Sequence, residues 1–219
     1  MINNVCSLNR ITDSKSGPVV IYVSSDWDDS QAVEICNLVR DSIESSFVLF
    51  ELKVYDWDKY LTPWQMKMGN RSFAGKAKVL LDIIENDIIP EIRNTVGVIE
   101  NIYIAGYSLA GLFSLWSIYE SDCFSGAVSC SGSLWYENWI EYVTTHSPRQ
   151  KAKVYLSLGD KEKNSRNELM KTVEDKTIMQ EKQLSNSSMV SSVIFEMNKG
   201  GHFTDVKERI AKGISAILL

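Results

Sequence analysis

A serine flanked two places either side by small residues, Gly106-Tyr107-Ser108-Leu109-Ala110-Gly111, follows an apolar run and opens a strongly apolar segment of helical period. Strand, sharp turn, helix is the context a nucleophile elbow requires. Such a turn forces the serine into a strained backbone conformation, and Gly106 and Ala110 leave it room. The following helix would aim its N-terminal dipole and the Leu109 N–H at an oxygen that becomes negative. The string alone is weakly specific: with Gly at about 7% of residues, it arises by chance in roughly one chain of this length in ten. The partners decide.

A serine nucleophile in this setting takes its base from late in the chain, after an acid. His202, in Gly200-Gly201-His202-Phe203, stands between the last apolar strand and the last helix, where a base loop belongs. The paired glycines would let that loop turn tightly. The other of the two histidines, His146 in Thr144-Thr145-His146-Ser147-Pro148, lies in a connection before the next strand, where a surface or satisfied-core reading outweighs a catalytic one. The acid should follow the strand Lys153–Gly159, where Asp160 and Glu162 present themselves. Either could be a solvated loop charge. Glu162 is the choice, three places beyond Gly159 and with the longer reach; Asp160, next to the strand end, is the alternative and is suited to capping the turn.

Other chemistries have less support. Four cysteines without a C-x-x-C pair, and two histidines, give no zinc framework. Asp26-Trp27-Asp28 and Asp56-Trp57-Asp58 read as caps and turn formers, so neither a metal nor a cofactor is expected. With 23 Lys+Arg against 28 Asp+Glu the net charge is −5, which argues against a nucleic-acid partner. There is no run of 18 apolar residues and no basic, apolar leader at residues 1–6, so no membrane partner and a reduced, cytoplasmic setting are expected. Oligomeric state is not legible.

The elements that must position these residues alternate. Strands are expected at about 19–23, 47–54, 101–106, 126–131, 153–159 and 192–197, with helices between them. That pattern predicts an α/β fold: a mostly parallel central sheet of about six strands with helices on both faces. The second strand alternates Val48, Phe50, Leu52 and Val54 against Glu51 and Lys53, which places it near the sheet edge. Helices are expected at 31–44, with an Asp28–Gln31 capping box, and at 72–96, broken or kinked at Pro90. Two more follow, at 109–119, apolar nearly all round, and at 205–218 behind an Asp205/Glu208 capping pair. The charge-dense stretch 159–184 reads as a loop and a solvated helix. No linker or repeat interrupts the pattern, so residues 1–219 are expected to form one domain.

In an open parallel sheet, function gathers at the carboxyl ends of the strands. Those ends carry Trp27, Trp57 with Trp64, and Trp135 in Gly132-Ser133-Leu134-Trp135-Tyr136. Singly each reads as a lid over the core. Together they suggest an aromatic-walled pocket, with Trp135 as a substrate-binding residue. A second oxyanion N–H is expected within Ser25-Asp26-Trp27 and is assigned to Trp27. Only about twenty residues separate Ser131 from Lys153, room for a short helix and no large lid.

Gly-Tyr-Ser-Leu-Ala-Gly, the Leu-Gly-Asp-Lys-Glu turn and Gly-Gly-His-Phe resemble the α/β-hydrolase superfamily, specifically esterases similar to esterase D and the siderophore (enterochelin) esterases. The resemblance spans about residues 17–219 in element order. It implies an α/β-hydrolase fold with Ser108 as nucleophile and His202 as base. Ala110 departs from the usual glycine, and the N-terminal antiparallel strands are absent or reduced to residues 5–12. The expected function is a serine esterase cleaving a small or medium carboxylic ester, a small molecule, through an acyl-enzyme. The alternatives are a thioesterase or acyltransferase with the same triad, and a non-catalytic binding module.

Overall fold

The computed structural model describes residues 4–25 and 31–219. The chain runs through strands β1 (Cys6–Arg10) and β2 (Val19–Ser24), helix α1 (Gln31–Ser42), β3 (Val48–Val54) and the short α2 (Trp57–Tyr60). A hairpin of β4 (Gln65–Met68) and β5 (Arg71–Ala74) leads into α3 (Ala77–Ile83), a π-helical turn (Ile84–Ile88) and α4 (Ile89–Thr95). Then come β6 (Ile102–Tyr107), α5 (Leu109–Glu120), β7 (Gly126–Cys130) and α6 (Trp139–Thr145). The last elements are β8 (Ala152–Gly159), α7 (Val173–Ser185), β9 (Val190–Asn198) and α8 (Val206–Leu218).

Seven strands form one sheet in the order β1-β3-β2-β6-β7-β8-β9. Every neighbouring pair is parallel except β1 with β3. This is the α/β arrangement expected, with β1 as a seventh strand inside residues 5–12. Successive side chains of a strand point to opposite faces, so the buried strands feed two cores. Val20, Tyr22, Leu49, Tyr103 and Ala105 share one with Ile35 and Val39 of α1 and Ile210 and Ile214 of α8. Val19, Ile21, Phe50, Leu52 and Ile104 share the other with Leu80 of α3, Ile92 of α4 and Leu112 of α5. Strands covered on both faces read as continuous apolar runs, which is why β2, β6 and β7 stand out in the sequence.

Three expectations need correction. β3 does lie near the sheet edge, next to the edge strand β1, but the polar side of its alternation is closed and does not meet water. Glu51 is 2% exposed, and Ser24 Oγ donates to its Oε1 at 2.9 Å. The edges are β1 and β9, and on β9 Ile194 and Met197 are each 42% exposed. Next, residues 72–96 are not one helix. Met66, Met68 and Phe73 alternate around Gly69-Asn70, a two-residue hairpin signal, and Gly69 takes the positive φ of +58° such a turn needs. The helix beyond it widens into a π turn just before Pro90, whose missing N–H leaves the Asn86 carbonyl without its usual donor. Last, Asp205 sits in the left-handed region at φ 50°, ψ 44° and its side chain caps nothing, so the Asp205/Glu208 pair is not a capping box. The Asp28–Gln31 box lies outside the described residues. The stretch 159–184 does end in a helix, α7, but one face is buried through Val173, Thr177, Gln180 and Leu184.

Between β7 and β8 the only helix is the seven-residue α6. The hairpin braces this connection. Tyr136 Oη donates to the Trp64 carbonyl at 2.6 Å, Trp64 Nε1 donates to the Glu137 carbonyl at 2.9 Å, and Phe73 meets Trp135 and Tyr136 edge-on. Among the described residues no helix is long and apolar enough to cross a membrane.

Candidate active site

β6 delivers Ser108 at the carboxyl edge of the sheet, between strand and helix, with φ 57° and ψ −120°. Few non-glycine residues hold such a conformation, which costs of order 1–3 kcal/mol and persists only where the surroundings over-determine it. Here they do. The Ser108 N–H donates to the Cys130 carbonyl at 3.1 Å, and the Ser108 carbonyl accepts from Leu112 and Ser133 N–H, each at 3.0 Å. The need for small flanking residues is steric: a Cβ on Gly106 would lie 2.4 Å from the carbonyl carbon and oxygen of Ala110. Leu109 is the first residue of α5, so its N–H has no intrahelical acceptor and stands at the positive end of the helix dipole, next to Ser108.

His202 stands on the loop between β9 and α8. Gly200 there has φ +103°, and a Cβ on it would meet Thr204 Oγ1 at 2.6 Å; Gly201 has open space around it, so one glycine of the pair is required. Asp160 Oδ1 accepts the Gly200 N–H at 2.8 Å, and Tyr107 Oη donates to the His202 carbonyl at 2.7 Å. The loop thus holds the imidazole with Nε2 3.1 Å from Ser108 Oγ and Nδ1 2.7 Å from Glu162 Oε2.

Glu162 begins a 3₁₀ turn just beyond β8 and is 9% exposed. Its second oxygen, Oε1, accepts from Ser131 Oγ at 2.6 Å and from the Gly159 N–H at 2.7 Å. Burial by itself would push this carboxyl up. The hydrogen bonds from His202 and Ser131, the charge of His202 when protonated, and the Gly159 N–H outweigh it and hold the group below the usual carboxylate value.

The structure therefore brings Ser108, His202 and Glu162 into one hydrogen-bonded row and gives Asp160 a different task, shaping the histidine loop. His146 is exposed, stacked on Tyr142 with ring centroids 4.2 Å apart, and takes no part. Trp135 is 6% exposed, packed on Phe73 and Tyr136, so it offers at most an edge to a ligand. Trp27 lies outside the described residues. Among the described residues no three His, Cys, Asp or Glu side chains gather as a metal site.

Four residues of the site were missed by sequence reasoning. Ser133, 2% exposed, sets its Oγ 3.5 Å from Ser108 Oγ. Its place just past β7 was a visible signal, since that is a carboxyl strand end. Tyr107 and Ser131 sit under the acid and the base. Arg209, on α8, is 2% exposed, and its signal was a cation on the helix stripe that carries Val206 and Ile210. Phe203, by contrast, is 89% exposed beside the imidazole, edge to face at 5.0 Å.

Such a row can move a proton from a hydroxyl to an imidazole while the carboxylate holds the ring. The chain matches the model of the family described as "Putative esterase" over residues 10–203. It is similar to the solved structure of the siderophore hydrolase EstB from Aspergillus nidulans, at 16% identity over 99% of this chain and 95% of that one, with a TM-score of 0.69. An IroE-like serine hydrolase from Shewanella oneidensis is similar at 15% identity over 96% and 74% of the two chains, with a TM-score of 0.74. So is the enterobactin hydrolase IroE in complex with DFP, at 15% identity over 99% and 96%, with a TM-score of 0.68. At these identities the likeness is one of fold. No curated protein matches the chain.

Proposed function

The chain belongs to this esterase family, and from that premise we propose that it cleaves a carboxylic ester through a Ser108–His202–Glu162 triad. The observation that carries the reading is the row of two contacts, 3.1 Å from Ser108 Oγ to His202 Nε2 and 2.7 Å from His202 Nδ1 to Glu162 Oε2. Neutral His202 takes the Ser108 proton at Nε2 as Oγ attacks the ester carbonyl. The carbonyl π electrons move to oxygen, and the tetrahedral intermediate forms. Glu162 stays ionised and stabilises the imidazolium through Nδ1–H. The Leu109 N–H binds the oxyanion, and a second N–H from the segment after β2 completes the hole; Trp27 is the assigned donor. His202 then returns its proton to the leaving alkoxide, and water, activated the same way, cleaves the acyl-enzyme. No cofactor enters this scheme.

The substrate is a small or medium ester. The short α6 connection supports that size, and Phe203, exposed beside the imidazole, offers an apolar contact. Ser108→Ala tests the mechanism. It should abolish hydrolysis of short activated esters and labelling by a fluorophosphonate, while thermal stability holds or rises slightly because the strained apex loses one hydroxyl. Turnover near wild type in that variant would overturn the reading.

A further inference from the structure

Arg209 is the buried cation of the site. It faces the sheet from α8, a place where a charge is costly unless its donors are used. Those of Nη1 and Nη2 are spread across the catalytic edge, while the buried Nε–H has no hydrogen-bond partner among the described residues. Nη1 donates to Tyr107 Oη at 3.0 Å and to Ser131 Oγ at 3.1 Å, and pairs with Glu162 Oε1 at 3.4 Å. Nη2 donates to the carbonyls of Lys199 at 3.2 Å and Gly201 at 3.3 Å. One planar group thus reaches the end of β6, the turn after β8 and the loop after β9. Those segments carry Tyr107 next to the nucleophile, the acid, and the base.

We propose that Arg209 is a positioning residue for ester hydrolysis, anchoring Glu162 and the His202 loop to a single guanidinium so that acid and base keep their register. The inference rests on the triad reading above. The two oxygens of Glu162 divide their work: Oε2 meets His202, while Oε1 is held by Ser131, Gly159 and Arg209. Releasing Oε1 frees the carboxylate to rotate, which also loosens Oε2. Releasing the Lys199 and Gly201 carbonyls frees the loop that carries the imidazole. Tyr107 adds a second branch, accepting from Arg209 and donating to the His202 carbonyl. The fork of the guanidinium is essential to this, because its two nitrogens serve different segments at once. A lysine ammonium supplies charge from a single point and cannot span them.

The test measures kcat and KM on a short activated ester for wild type, Arg209→Lys, Arg209→Met, Glu162→Gln and the Glu162→Gln/Arg209→Met double variant. Rates are taken per folded molecule, with folding read from circular dichroism. Arg209→Lys should lose about 10²-fold in kcat, the scale of a misplacement near 1 Å, with KM within about 3-fold. The cycle should be non-additive, the double variant falling short of the product of the single losses by about 10-fold or more, because both changes disable one contact. A merely structural arginine would lower the melting temperature and leave kcat per folded molecule unchanged. If Arg209→Met does not fold, the kcat and KM of Arg209→Lys decide the matter, with the cycle run on Arg209→Lys, Glu162→Gln and their double variant. Wild-type kcat in Arg209→Lys, or simple additivity, overturns the proposal. If wild type neither hydrolyses esters nor takes a fluorophosphonate at Ser108, it is the triad reading that falls instead.

Discussion

At the scale of single residues, Asp160 and Glu162 share one turn, yet their carboxylates face different partners. Asp160 Oδ1 accepts one backbone N–H, from Gly200, and an asparagine oxygen would accept it equally. Glu162 instead meets the His202 imidazole at 2.7 Å from inside the protein, where its charge orients the ring and stabilises the proton that the ring takes up in the reaction. Losing that charge while keeping the shape can cost about 10⁴ in turnover, and less where other groups compensate. Glu162→Gln should therefore lose at least ~10²-fold in kcat, while Asp160→Asn stays within ~10-fold. Steady-state kinetics on one activated ester would separate them, and the opposite ranking would hand the acid's role to Asp160. Both carboxylates were visible in the sequence. Which of them reaches the imidazole was not, because that depends on how the turn after β8 folds against the β9–α8 loop.

At the scale of elements, the turn from β6 to α5 is a contact between backbones as much as a motif. The Ala110 carbonyl would stand 2.4 Å from a Cβ on Gly106, and backbone cannot yield as a side-chain tip can. Gly106→Ala should destabilise by about 1–3 kcal/mol, the usual range for forced overpacking. It should also shift Ser108 enough to lower kcat more than it changes KM. Urea unfolding and kinetics on the same preparation check both, and unchanged values in both would contradict the close approach. The β4–β5 hairpin shows the opposite balance. Its Gly-Asn turn and alternating methionines were legible, but the apolar stripe of the helix that follows extended the helical reading back over residues 72–74 of β5. Tertiary packing against Tyr136 and Trp135 is what makes two four-residue strands worthwhile there.

At the scale of the whole molecule, the depressed carboxyl of Glu162 links the site to folding. Its folded value lies below its ordinary value of 4.5, so the ionised form contributes stability that is fully present above that pH. The contribution is lost as pH falls through the folded value. Urea midpoints from neutral pH downward should drop below about pH 4.5 more steeply in wild type than in Glu162→Gln, which has no such proton to bind. Equal slopes would mean that Glu162 does not carry the linkage. The same region joins three segments far apart in sequence, so local loosening there should be felt by nucleophile, acid and base together.

By itself the sequence determined the class of fold, because strands buried on both faces must be written as apolar runs and intervening helices as stripes. It also determined where a nucleophile, an acid and a base could stand, since strand ends and turn glycines are local features. Only the tertiary structure decided the rest. The polar side of β3 is closed, which its alternation did not reveal, because a buried Glu51, bonded to Ser24, looks in sequence like a solvent-facing charge. Arg209 looked like one polar residue on an amphipathic helix. Its partners Tyr107, Ser131 and Glu162 come from positions 102, 78 and 47 residues away, and no local pattern encodes such distances. Hydrogen bonds between distant segments exist only once the chain has closed, and they are what bring the separate chemistries of this edge into one site.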